Sequence, residues 1–231
     1  MTPSATCRLT HAFDFTKVDT VLLDMDGTLL DLHFDAEFWS QYLPQQFIAK
    51  SHLPEQQARA LLQHRFEHMQ GQLGWYCLDD WAHALNTTAE GINLVELKRE
   101  LAHLIRYRPG VPQFLDELGR LGKKRVLVTN AHPDSVALKF EQVDLGHRLD
   151  AIFNAHKIGA AKESDQFWAR LAQSLRFNRQ RTLLIDDNLQ ALAAAKRFGI
   201  RHLRAVTEPN SRQGPVDTEP FEAFTEFVVA S

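Results

Sequence analysis

The sequence predicts an α/β fold: a doubly wound parallel sheet with an all-helical subdomain inserted after its first strand. Three observations lead there. Short continuous apolar runs recur at Val21-Leu22-Leu23, Arg125 to Thr129, Ala151 to Asn154 and Thr182 to Asp186, with a fifth from Ile200 to Val206. Unbroken runs of this length mark strands covered on both faces, as parallel sheets are. Segments of helical period separate the later runs, and that alternation implies strand–helix–strand crossovers. From residue 32 to 106 the alternation stops and only helical patterns remain.

Taken in order, Met1 to Thr20 lacks a cationic start followed by an apolar run, so no secretory leader is expected. Val21-Leu22-Leu23 is the first strand. The insertion reads as helices over 36–50, 54–70, 78–86 and 93–105, with Pro44, Pro54, Gly71 and Gly74 as breaks. Beyond it, Val111, Phe114, Leu115, Leu118 and Leu121 share one helical face, opened by Pro109-Gly110 and closed by Gly122. Pro133 opens a helix toward Phe140. Asp165 to Leu175 and Leu189 to Phe198 are further helices, the second closed by Gly199. Glu208 to Glu219 is a loop rich in Pro, Gly and Ser, and Phe221 to Val229 is expected to be a last packing helix. The division is therefore a core of residues 1–31 and 107–231 and a helical cap of residues 32–106.

Composition narrows the function. The 231 residues are 44% apolar and 24% charged, which excludes a disordered or fibrous chain. Lys plus Arg is 26 against 29 for Asp plus Glu, a net charge of −3, so no net positive field, as distinct from a small local patch, is available to hold nucleic acid or an anionic membrane. No apolar stretch reaches the length of a membrane span. Cys7 and Cys77 are too few for a disulfide framework, and a reducing, cytoplasmic setting is expected. The partner is then a small molecule; oligomeric state is left open.

Asp24-Met25-Asp26-Gly27-Thr28 is the strongest chemical signal. Two carboxylates at i and i+2 leave a strand end, Gly27 permits a sharp turn, and Thr28 offers a donor. A single Asp-Gly also closes ordinary turns; here the pair lies beyond a strand carboxyl end, where open parallel sheets bind ligands. Thr129-Asn130 ends the second strand, where a hydroxyl and a turn suit a phosphate. Lys162 lies on a later loop. Asp186-Asp187 ends the fourth strand, and adjacent carboxylates repel unless a cation sits between them. His64 and His68 stand at i and i+4 without a third ligand, and read as a polar helix face. Cys77, Phe34, Phe38 and Trp39 read as packing.

The order acid pair, Thr, Lys, acid pair resembles the haloacid dehalogenase-like (HAD) superfamily, in its phosphatase branch. Asp24 to Thr28 looks like its first motif, Thr129-Asn130 its second, Lys162 its third and Asp186-Asp187 its fourth; the helical insertion is similar to a type 1 cap. Glu163 departs from the proline frequent after the lysine. The segment Val21 to Leu32, Trp75-Tyr76-Cys77-Leu78-Asp79 with Trp81, and Thr129-Asn130-Ala131-His132-Pro133 look like a bacterial GMP/IMP nucleotidase group. The resemblance implies a HAD-like Rossmannoid core and Mg²⁺-dependent hydrolysis of a purine 5′-nucleotide through an aspartyl-phosphate. Asp24 would be the nucleophile and Asp26 the acid/base. Asp24, Asp187 and Asp26, through its carbonyl, would hold the metal, with Asp186 orienting Lys162 or a metal-bound water. Thr129, Asn130 and Lys162 would hold the phosphoryl group. Trp75 and Tyr76 would stack on the base, and Asp79 or Asp80 would accept from purine N1. A sugar-phosphate phosphatase, a phosphomutase, a dehalogenase and a receiver-like phospho-accepting domain are the alternatives. Retention of Asp26 argues against the dehalogenase, and the insertion argues against the receiver.

Overall fold

The computed structural model describes residues 13–229 apart from 70 and 88. Cys7 and most of the Met1–Thr20 stretch therefore lie outside the described residues. Six parallel strands form one sheet: β1 (Thr20–Leu23), β2 (Lys124–Thr129), β3 (Ala151–Asn154), β4 (Thr182–Asp186), β5 (His202–Val206) and β6 (Glu222–Phe224), in the order β3-β2-β1-β4-β5-β6. β1 is central, pairing Leu23 with Leu127 on one side and with Ile185 on the other.

Alternate strand residues face opposite layers, as the period of two requires. Val21, Leu23, Leu127, Leu183 and Ile185 join a core that includes Val111, Phe114, Leu115 and Leu118. Leu22, Val126, Val128 and Leu184 join a second core with Phe167, Trp168, Leu171 and Leu192. The layers are α6 (Val111–Arg120) and α7 (Pro133–Gln142) on one face, and α9 (Asp165–Ser174) and α10 (Leu189–Phe198) on the other; α8 (Ala155–Ile158) is one short turn. Caps set the helix starts: Ser164 accepts from the Gln166 N–H, and Asn188 accepts from those of Gln190 and Ala191.

Between β1 and α6 the described elements are helical: α1 (His33–Glu37), a π-helical turn (Phe38–Tyr42), α2 (Leu43–Lys50), α3 (Glu55–Met69), a 3-10 turn (Leu73–Tyr76), α4 (Leu78–Ala84), α5 (Leu94–Glu100) and a 3-10 turn (Ala102–Leu104). They enclose a third core built on Phe38, Phe47, Leu62, Trp81 and Leu97. The two chain passages joining this insert to the sheet are bonded together. Asp31 N–H donates to the Arg106 carbonyl, Arg108 N–H donates to the Leu29 carbonyl, and Leu30 bridges Tyr107.

Two expectations are corrected. Pro44 does not break the first insert helix, which runs on from His33 to Lys50. The wider π-helical turn just before Pro44 accommodates a residue without an N–H to donate. Phe221 to Val229 is not a helix: Glu222–Phe224 extends the sheet edge, with Arg204 opposite Glu222 and their side chains paired at 2.6 Å. The three-residue spacing of Phe221, Phe224 and Phe227 mimics a helical face. Extended chain delivers Phe224 and Phe227 edge-on to Phe114 while its backbone pairs with β5.

Candidate active site

Three neighbouring strands end together, and their carboxyl ends carry the chemistry. Asp24 follows β1, and its N–H donates to Ile185 of β4. Gly27 turns the chain back with φ +79°. A Cβ there would lie 2.4 Å from Asp187 Oδ2, so only glycine leaves room for that carboxylate. The Thr28 hydroxyl is buried without a hydrogen-bond partner among the described residues.

Lys162 is buried and its ammonium lies between two carboxylates, 2.5 Å from Asp24 Oδ1 and 2.8 Å from Asp186 Oδ2. Its backbone is held as well: its carbonyl accepts from Trp168 Nε1 at 2.7 Å, and its N–H donates to Asn130 Oδ1 at 2.9 Å. Carboxylate oxygens of Asp24, Asp186 and Asp187 lie within 4.8 Å of one another. Burial pushes the Asp24 carboxyl up to about 7, with Lys162 opposing and Asp186 adding. Burial also raises Asp187 well above the carboxylate range, with Asp24 and Asp186 reinforcing it. An oxygen-only cluster with one ammonium for three carboxylates, two buried and one partly so, is short of positive charge, and a hard divalent cation relieves that.

Asp26 faces the same space on a separate ion-pair chain. Lys139 of α7 contacts Asp26 Oδ1 and Asp35 Oδ2 at 2.6 Å each, and Lys98 of α5 contacts Asp35 Oδ1 at 2.6 Å. Burial lifts Asp26 to about 6, with Lys139 opposing and Asp35 and Asp24 adding. Asp35 stays well below the usual range despite burial, because Lys139 and Lys98 outweigh it. Lys139 is held above the usual lysine value, since Asp26 and Asp35 outweigh the burial that would lower it.

A cavity of about 640 Å³ opens from these carboxylates toward the insert, lined among others by Asp24, Asp26, Thr129, Lys162, Trp39 and Trp75. Tyr76 lines it too, but its hydroxyl donates to Glu163 Oε1 at 2.5 Å. Trp75 faces the cavity while also packing edge-on against Phe66 and Trp81.

The sequence-predicted residues Asp24, Asp26, Thr129, Asn130, Lys162 and Asp187 thus border one space, and Asp186 sits behind Lys162. Asn130 borders this space, and both ends of its side-chain amide are engaged, Oδ1 accepting from the Lys162 N–H and Nδ2 donating to Glu163, so the amide also props the lysine. Asp79 and Asp80 are outside the cavity lining; Asp79 is 86% exposed and lies 3.5 Å from His132. Cys77, read as packing, is half-buried and has a histidine near it: the ligand atoms of Cys77, Asp79 and His132 fall within 4.8 Å. His64 and His68 stack on the surface, His68 Nδ1 bonded to the His64 carbonyl.

Sequence reasoning missed Lys98, Lys139, Asp35 and the role of Glu163. The lysines did leave a signal. Lys98 stands in the stripe Leu94, Leu97, Lys98, Leu101, and Lys139 in the stripe Ser135, Leu138, Lys139. A lysine on the buried face of a helix requires a buried counter-charge.

With the geometry in place, comparison with known proteins gives consistent likenesses. The family profile of haloacid dehalogenase-like hydrolases matches residues 18–199. The GMP/IMP nucleotidase YrfG of Escherichia coli (strain K12) is 40% identical over 194 residues, covering 84% of this chain and 85% of that one. Among solved structures, a HAD phosphatase from Thermococcus onnurineus superposes with a TM-score of 0.72 at 18% identity, covering 89% of this chain and 92% of that one. A predicted phosphoglycolate phosphatase from Haemophilus somnus 129pt gives 0.60 at 15% identity, covering 91% and 95%. At these identities the two structures speak for the fold alone.

Proposed function

The chain belongs to the haloacid dehalogenase-like hydrolase family, and from that premise we propose that it is a Mg²⁺-dependent phosphomonoesterase acting on purine 5′-nucleotides, GMP and IMP foremost. The observation that carries the reading is Asp24: a carboxylate bonded to the Lys162 ammonium at the floor of a cavity that continues to aromatic residues of the insert. The 40% identical nucleotidase supports the substrate class. Flat faces at Trp39 and Trp75 suit a base.

Asp24 attacks phosphorus and forms an aspartyl-phosphate while Asp26 protonates the departing ribose oxygen. Asp26 then takes a proton from the water that attacks the acyl phosphate, releasing phosphate and restoring Asp24. A carboxyl lifted to about 6 is available in both protonation states near neutrality, as one group serving as acid and then base must be. Lys162 and the Thr129 hydroxyl steady the phosphoryl oxygens. Asp24, Asp187 and the Asp26 carbonyl would hold Mg²⁺, which when bound neutralises phosphate charge. Asp186 orients Lys162. Residues 32–106 act as a cap that shuts out bulk water and reads the leaving group. The setting proposed is the cytoplasm.

The test is phosphate release from GMP by wild type and by Asp24→Asn. An amide cannot form the acyl phosphate, so kcat should fall about 1,000-fold or more with the fold intact by circular dichroism. A variant keeping over about a tenth of wild-type kcat removes Asp24 from this role.

A further inference from the structure

Glu163 accepts three hydrogen bonds from three separate parts of the chain. Tyr76 OH of the insert donates to Oε1 at 2.5 Å, Asn188 Nδ2 at the start of α10 donates to Oε1 at 2.8 Å, and Asn130 Nδ2 at the end of β2 donates to Oε2 at 2.9 Å. The same Asn130 amide accepts the Lys162 N–H through its Oδ1. One planar amide therefore connects the carboxylate that receives the insert's tyrosine to the main chain of the lysine that touches Asp24. The contact is not incidental packing. Tyr76 is partly buried, and burial and the neighbouring Glu163 carboxylate push its phenol further above its ordinary value. Hydrogen bonds to an ionised partner are the stronger kind. The bond spans 87 positions of sequence and joins the insert directly to the loop that carries Lys162.

We propose that Tyr76 and Glu163 form the latch that holds the helical insert over the reacting carboxylates, and that Glu163, acting through Asn130, sets Lys162 for phosphate when the latch is made. Both are positioning residues: neither touches the reacting atoms. The idea rests on the phosphatase reading above and extends it. Opening the insert breaks the Tyr76 bond and leaves Glu163 with only the two asparagines. Closing it re-forms the third bond and fixes the carboxylate against Asn130, and so fixes the turn carrying Lys162. Substrate closure and the grip on phosphate are then one event. The residue after the lysine is glutamate because a carboxylate is needed to accept from three donors at once; proline has no acceptor side chain.

The test is a double-mutant cycle of wild type, Tyr76→Phe, Glu163→Gln and the double variant, with two readouts. Kinetics on GMP should show each single substitution lowering kcat/KM about tenfold, mostly through KM. The double variant should be no more than about twofold below the worse single, because both disable the same three-bond junction: Tyr76→Phe withdraws a donor, and glutamine has one acceptor oxygen where Glu163 has two. Losses that multiply to about 100-fold in the double variant, or a Tyr76→Phe enzyme with wild-type constants, overturn the latch. Amide hydrogen exchange is independent of the substrate: Tyr76→Phe should speed exchange in residues 73–84 and in the loop 161–164 together, leaving β1 and β4 protected. Faster exchange in 73–84 alone refutes the coupling to Lys162. If wild type releases no phosphate from any monoester, the phosphatase reading fails, and the exchange result still decides the latch.

Discussion

Removing Lys139 should cost the fold several kcal/mol, about 3–5. Its side chain is 1% exposed, and its ammonium touches Asp26 and Asp35 at 2.6 Å each. With Lys98, two ammonium groups balance these two carboxylates. Lys139→Met keeps the stem's volume and leaves two partly buried carboxylates sharing one cation. Breaking a buried pair from one side costs about 3–5 kcal/mol. In a domain of this size that is a fall in Tm of about 6–20 °C. The pH dependence follows from the same contacts. Asp26 already sits at about 6, above its unfolded value, with Lys139 holding it down. Without Lys139 it rises further. A carboxyl with a raised folded value destabilises progressively as pH climbs from its unfolded value to its folded one. Asp35 also gives up part of the depression that stabilises the fold above its unfolded value. The deficit should therefore be larger at pH 8 than at pH 5. Thermal unfolding of both proteins, followed by circular dichroism at the two pH values, measures it. A Tm within about 2 °C of wild type at pH 8, or a deficit that shrinks on going from pH 5 to pH 8, refutes the charge argument.

Two further outcomes follow from the carboxylate cluster. Chelation with EDTA should abolish phosphate release and added Mg²⁺ should restore it, with Mn²⁺ as a substitute since it takes oxygen ligands; full activity in chelator contradicts the metal assignment. Gly27→Ala would place a methyl 2.4 Å from Asp187 Oδ2 at a φ of +79°, so the variant should need at least about tenfold more Mg²⁺ for half-maximal rate; an unchanged requirement shows that Asp187 can move freely.

The sheet and the convergence of Asp24, Asp26, Lys162 and Asp187 on one space were legible because their signals are local. Asp24 to Thr28 and Asp186-Asp187 each follow an apolar run directly, and a strand end is where such residues can converge. What was hidden depends on distant partners. Lys139 finds Asp26 and Asp35 across 113 and 104 positions, and nothing near either aspartate announces it. Glu163 looked like a departure from a motif, and its meaning lies in Tyr76, Asn130 and Asn188, three residues from three segments. Asn130 sits at the right strand end for an anion, yet its amide is taken by neighbours that sequence order does not reveal. The π-helical turn before Pro44 is invisible to a reading at 3.6 residues per turn, and Phe221, Phe224 and Phe227 satisfy that period without being helical.

The measurement closest to the central claim is kcat/KM for phosphate release across GMP, IMP, AMP, pyrimidine nucleotides, sugar phosphates and phosphoglycolate, at one Mg²⁺ concentration, on wild type and Trp75→Ala. GMP and IMP should lead on the substrate class proposed above, which rests on the 40% identical nucleotidase and on the flat faces of the cavity. Trp75→Ala should narrow their lead by removing a flat face from the cavity. A sugar phosphate or phosphoglycolate exceeding both purines by about tenfold or more would contradict the nucleotidase assignment, and no phosphate release from any of these esters would contradict the phosphatase itself.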